Sequence, residues 1–226
     1  MNIGNPRDLI HGAIFGIGDD DVRRQFVAHF GHEIAEFEQV MTDVYERWRE
    51  LDHRFSKDRD SATVVGTVFV VIARLLLSMN LLSLGHNALA GAAKRQVFEA
   101  LAQAFLFSKH GWPYREQALN GTFSVNKAIG LLLKRSTELG LNRDALQVVS
   151  QARDFYHKLS HATVLAMGDL IHLDGSGSPL GASFDEAKLE FYRHEVVARL
   201  SFARTLTNAI YGVEGLLGQW PHLRAS

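Results

Sequence analysis

The sequence predicts an all-α fold, a multi-helix bundle of about six to seven helices with a long first and a long last helix. Three observations carry this. Apolar residues recur at three- and four-residue steps from Phe30 to Phe55 and again from Val196 to Leu217. The stretch Leu89 to Phe107 is apolar nearly all round, as in a helix buried among others. No segment alternates polar and apolar residues long enough to argue for a sheet. A chain of 226 residues, 46% of them hydrophobic, buries a large core, and a single domain over residues 1–226 is expected.

Residues 1–18 read as loop with a short helix. Asp19-Asp20-Asp21 places negative charge at the start of the first long helix, where the helix dipole favours it. Its seam is Phe30, Ile34, Phe37, Met41, Val44, Trp48, Leu51 and Phe55. Ser56 to Ser61 breaks it. A second helix is expected from about Ser61 to Leu84, with Gly85 as its C-terminal cap. Val64 to Leu84 is long and apolar enough for a membrane span, but Arg74 at its middle would cost about 2.5–3.5 kcal/mol there. A buried bundle helix is the expectation.

The third helix is expected from Asn87 to Lys109, ended by Gly111-Trp112-Pro113. A short helix from Pro113 to Asn120 follows. Ser124 is read as the cap of another that stops at Gly140, and Asn142 as the cap of one running to about His172. Residues 173–183 are a Gly/Ser-rich loop. Ser183-Phe-Asp-Glu186 has the pattern of a capping box before the last helix, which is expected to reach Gln219. The seam of that helix is Val196, Leu200, Ala203, Leu206, Ile210, Val213 and Leu217.

Composition excludes several function classes. The absence of cysteine rules out disulfides, thiolate metal sites and a cysteine nucleophile. A net charge of -1 gives no long-range pull on nucleic acid, so RNA binding finds no support in net charge. The first residues lack the basic flank and apolar core of an export signal, and the expected location is cytoplasmic. Gly12, Gly16 and Gly18 precede a helix, but no strand precedes them, so the dinucleotide-loop context is missing. There is no phosphate-binding P-loop, serine-nucleophile elbow or zinc-protease motif.

Three clusters could carry chemistry. Arg95 and Glu99 sit four apart on the apolar third helix, in the order that stabilises a helix surface least. With Arg74 from the second helix they would form an internal polar pocket or a buried ion pair. Arg153, His157 and His161 recur at four-residue steps, and a histidine near neutrality moves protons. They would form either a solvated face or an acid–base and phosphate-contacting surface. His29, His32, Glu33 and Glu36 flank the first seam. Glu50-Leu-Asp-His53 has the Glu-x-x-His spacing of a di-metal bundle, but partner glutamates at matching depth are missing, so a solvated flank is expected. No metal site and no cofactor are expected.

Residues 75–110, with the Gly85 break and Arg95-x-x-x-Glu99 on an apolar helix, are followed at 153–165 by Arg-Asp-Phe-Tyr-His-Lys-Leu-Ser-His-Ala-Thr-Val-Leu. This order resembles a group of uncharacterised bacterial all-helical proteins related to the HEPN superfamily, over roughly residues 60–170. The resemblance implies a helical bundle, often dimeric, in toxin–antitoxin, phage-defence or RNA-processing settings. Active HEPN ribonucleases carry Arg, four to six residues, then His. Here His157 follows Arg153 after three residues and His161 after seven, and the spacing departs from that pattern. The leading expectation is therefore a non-enzymatic interaction or regulatory module, homodimeric and open to a protein partner. The alternative is a metal-independent ribonuclease using Arg153 with His157 or His161. A metal-binding bundle using the same histidines is the third reading.

Overall fold

The computed structural model describes Arg7, Ile10, His11, Gly16, residues 18–159, His161, Ile171 and residues 181–223. Among these residues there are seven α-helices and no strand. They are α1 (Asp19–Phe55), α2 (Arg59–Leu82), α3 (Asn87–Ser108), α4 (Tyr114–Leu119), α5 (Ala128–Lys134), α6 (Arg143–Leu159) and α7 (Leu189–Leu217). The all-α bundle with long first and last helices is the observed architecture.

The two apolar seams do the assembling. Phe30, Phe37, Met41, Val44, Leu51 and Phe55 of α1 are buried, and so is every seam residue of α7. These helices pack on each other, and α2 packs along α3. Helix α3 is the hub, touching α2, α4, α5, α6 and α7. Glu214 of α7 ties the first and last helices by pairing with Arg47 and, at 2.7 Å, with Arg54. Trp220 is fully buried, and its indole N–H donates to the Ser108 carbonyl at 2.7 Å, satisfying an end group of α3.

Gly85 turns α2 into α3. Its φ is +75°, and a Cβ there would lie 1.8 Å from the Ser183 carbonyl oxygen, so both the turn and the passing chain need glycine. Helix α2 has 24 residues and is apolar enough to cross a membrane, yet Val64, Val68, Val71, Ile72 and Leu75 are buried in the bundle.

Several expected boundaries move. Helix α2 starts at Arg59 because Asp58 caps it, accepting from the amides of Asp60 and Ser61. The helix expected from Ser124 to Gly140 is broken at Arg135, and Ser124 makes no side-chain cap. Asn142 does cap α6, accepting from Asp144 and Ala145. In its described residues α6 ends at Leu159, and His161 lies in a bend rather than on the helix. The rest of the span expected to reach His172 lies outside the described residues, as does most of the 1–18 segment and of the Gly/Ser-rich loop. Before α7 a single tight turn at Glu186–Lys188 is capped by Asp185, which accepts from Ala187, and not by the Ser183–Glu186 pair; α7 itself has no side-chain cap.

Candidate functional site

The contact between α3 and α6 holds the candidate site, and Gly91 makes it close. A Cβ on Gly91 would meet Leu159 Cδ2 at 2.6 Å and Tyr156 Cδ1 at 3.3 Å. The missing side chain lets α6 lie directly on α3.

On one side of this contact five of the six sequence candidates converge. Arg95 Nη1 lies 3.2 Å from His157 Nδ1. Glu99 Oε1 lies between Nε of Arg95 at 3.5 Å and Nε of Arg153 at 3.8 Å. The Glu99 side chain is 7% exposed, whereas Arg95 and Arg153 are 21% and 18% exposed, so a buried carboxylate anchors two half-open guanidinium groups. Arg153 also pairs with Asp154 at 2.8 Å and donates to the Asn126 carbonyl at 3.0 Å, which fixes it to the turn before α5. The rings of His157 and His161 meet edge to face at 4.3 Å, and both residues are exposed.

The histidines have different roles in this geometry. An arginine only donates, so His157 Nδ1 accepts from Arg95, and a neutral His157 carries its proton on Nε2. Partial desolvation, then His161 and the cations Arg95 and Arg153, hold His157 below the usual imidazole range and keep it neutral at pH 7. Two arginines, a proton donor and a second imidazole at one solvent-facing spot can bind a phosphate and move a proton.

Arg74 does not join this group. It is exposed on α2 and makes no ion pair or hydrogen bond with Arg95 or Glu99. Its neighbour Leu75 faces the core instead, and Arg74 points its charge to water. The His29, His32, Glu33 and Glu36 group is also spread along the surface. Glu33 pairs with Arg193 at 3.8 Å, Glu36 pairs with Arg204, and the His29 ring stacks on Phe184. Among the described residues no three histidine or carboxylate side chains are grouped to hold a metal ion, so the metal-binding reading finds no site there.

A second polar network at the same helix contact was not legible in the sequence. Arg199 of α7 is fully buried and pairs with Glu195 Oε2 at 2.6 Å. Its Nε donates to Ser78 Oγ at 2.9 Å, and Ser78 in turn donates to the Ala90 carbonyl. Tyr156 donates its hydroxyl to the Glu195 carboxylate at 3.1 Å. Lys94 of α3, 2% exposed, places Nζ 5.1 Å from the centre of the Tyr156 ring. Burial, then the charge of Arg199, pushes Lys94 well below the ordinary lysine range. Burial opposes the charge on Glu195 most, but Arg199, Lys94 and the hydrogen bonds from Arg199 and Tyr156 together outweigh it and hold the carboxyl low. Burial pushes the Tyr156 phenol up. Two signals could have pointed here: a lysine inside an all-apolar helix, and Glu195-x-x-x-Arg199 bracketing the seam residue Val196.

Comparison of the chain with protein-family models, with curated proteins and with solved structures gives no match.

Proposed function

We propose that this is an HEPN-like module directed at RNA, and that the α3–α6 cluster cleaves the strand without a metal ion. The observation that carries this reading is the convergence of Arg95, Glu99, Arg153, His157 and His161 from two helices on one solvent-facing spot. In this reading Arg95 and Arg153 hold a phosphodiester, and His157 donates from Nε2 to a phosphate oxygen. His161 takes the proton of the neighbouring ribose 2′-hydroxyl. The O2′–P bond forms, the P–O5′ bond breaks, and the leaving 5′-oxygen takes a proton from water. The products are a 2′,3′-cyclic phosphate and a 5′-hydroxyl.

The test is incubation of the purified chain with a labelled single-stranded RNA in excess chelator. Cleavage to cyclic-phosphate ends, reduced about 100-fold or more in His161→Ala, is the expected result. Intact RNA, or the same cleavage by His161→Ala, refutes catalysis.

One observation favours a second reading. Each guanidinium of the cluster already has a carboxylate beside it, and Arg153 is further tied to Asp154 and Asn126. A cluster whose cations already stand beside carboxylates suits a non-enzymatic interaction module, homodimeric and regulatory. The half-exposed apolar residues Phe69, Val70 and Leu76 on α2 are the surface this reading offers for the second copy. Intact RNA together with a dimer in light scattering supports it, and a monodisperse monomer removes the dimer.

A further inference from the structure

Beside the buried Lys94 network, α3, α6 and α7 frame a cavity of about 710 Å³ that opens to solvent, a size usual for small-molecule sites. Its walls are apolar: Phe98, Leu101, Val149, Phe155 and Phe202. Lys94, Tyr156 and Glu195 line its polar end. Phe98 packs edge to face on Phe202 at 5.1 Å, giving that wall a fixed shape.

The polar end is short of an acceptor. Lys94 at this end and Arg199 behind it are two basic side chains beside one carboxylate, Glu195. That carboxylate already accepts from Arg199 Nη1 and from Tyr156. Among the described residues the Lys94 amine makes no hydrogen bond or ion pair; it lies over the Tyr156 ring and feels Glu195 only through space. Arg199 Nη2 is likewise buried without a hydrogen-bond acceptor. A buried amine with nothing to donate to is costly, and a core position filled by methionine would avoid that cost. The structure thus keeps a lysine at the base of an apolar cavity where fold stability alone argues against it.

We propose that this cavity binds a small monocarboxylate with an apolar body, its carboxylate accepting from Lys94 and its body lying between the Phe98, Phe155 and Phe202 rings. The carboxylate supplies the missing acceptor, and with Lys94 protonated on binding the charges stay balanced, two positive against two negative. The titratable and charged groups facing Lys94 are Glu195 and Arg199 of α7 and Tyr156 of α6, with His194 at the cavity wall. Burial keeps free Lys94 low, so an arriving anion favours its protonated form, and binding takes up a proton from solution.

The test is calorimetric titration of the full chain with dodecanoate and with dodecanol, each in two buffers of different ionisation enthalpy. Dodecanoate is expected to saturate, to raise the melting temperature, to bind about tenfold or more tighter than the alcohol, and to take up protons. In Lys94→Met the preference for the carboxylate and the proton uptake are lost while the alcohol still binds. In Val148→Glu, a change at a cavity residue that is 64% exposed and therefore tolerant, carboxylate binding weakens. Equal affinity for acid and alcohol, unchanged dodecanoate binding by a folded Lys94→Met, or no saturable binding overturns the proposal. A dimer that Val148→Glu dissociates, with no carboxylate binding, overturns it in favour of a second copy of the chain as occupant.

Discussion

Replacing Glu195 by leucine should be among the most destabilising single changes in this protein, and removing Arg199 as well should restore part of the loss. Arg199 is 0% exposed and Glu195 2% exposed. Leucine at 195 strands the guanidinium in the core and removes the acceptor of the Tyr156 hydroxyl. Breaking a buried pair from one side costs about 3–5 kcal/mol. In the double variant Glu195→Leu/Arg199→Leu no charge is stranded. Ser78 keeps its bond to the Ala90 carbonyl, and the remaining penalty is a buried phenol without an acceptor, about 1–3 kcal/mol. The two singles should therefore each fall below the double, with a coupling of about 2 kcal/mol or more in the cycle. For a chain of this size about 1 kcal/mol shifts Tm by roughly 2–4 °C, so the single change lowers Tm by about 10 °C. The assay is urea unfolding at neutral pH, followed by circular dichroism. Because Arg199, with Lys94 and the hydrogen bonds to the carboxylate, holds Glu195 below its unfolded value against burial, this stabilisation is present at neutral pH. It is lost as pH falls below the ordinary carboxylate range and through the folded pKa. The gap between wild type and Glu195→Leu should therefore narrow in acid. Additive single effects, or single losses under about 1 kcal/mol, would refute the buried-pair argument.

Two other outcomes follow from the same helix contact. Lys94→Met should unfold at a higher temperature than wild type at pH 7, because folding forces a proton off Lys94 or buries its charge. The folded pKa lies below the unfolded one, so wild-type stability rises with pH, and the advantage of methionine should shrink as pH approaches the ordinary lysine range. A Lys94→Met protein that melts lower would show that the amine stabilises the fold. Gly91→Ala should cost about 1–3 kcal/mol, since its Cβ would press on Leu159 and Tyr156 and push α6 from α3. Thermal melts measure the cost, and loss of the RNA cleavage proposed above alongside it would mark the displaced histidines. An unchanged melt would mean that Leu159 simply swings aside.

Much of the fold was legible because periodicity reports burial. The α1 seam from Phe30 to Phe55 and the α7 seam from Val196 to Leu217 face the core, and the ends of α1 fall at Asp19 and Phe55 as the acidic run and the polar break imply. Caps were less legible. Asp58 and Asp185 do the capping, while Ser183 had the pattern of a capping box, because any short polar side chain near a helix start satisfies the same pattern. The site was half legible. Arg95, Glu99, Arg153, His157 and His161 do meet, but Arg74 does not, since a neighbour of a seam residue turns to solvent with a rotation of about 100°. The four-residue spacing of His157 and His161 put them on one helix face, and their rings do meet, although His161 sits in a bend.

The two networks share one cause. Lys94 and Arg95 are consecutive on α3, and Tyr156 and His157 are consecutive on α6, so each helix sends one residue to either side of the line of contact. Arg95 and His157 go to the open side with Glu99 and Arg153, while Lys94 and Tyr156 go inward to Glu195 and Arg199. A helix buried on most of its circumference tolerates charge only where a neighbour supplies a partner or water reaches it. On the open side water and paired carboxylates do so. On the inner side Arg199 pairs with Glu195, while Lys94 shares that carboxylate only through space and otherwise meets an aromatic face and an apolar cavity. The paired charges are accounted for by the fold. Lys94, which makes no hydrogen bond or ion pair among the described residues, is the basic group that a bound carboxylate would complete.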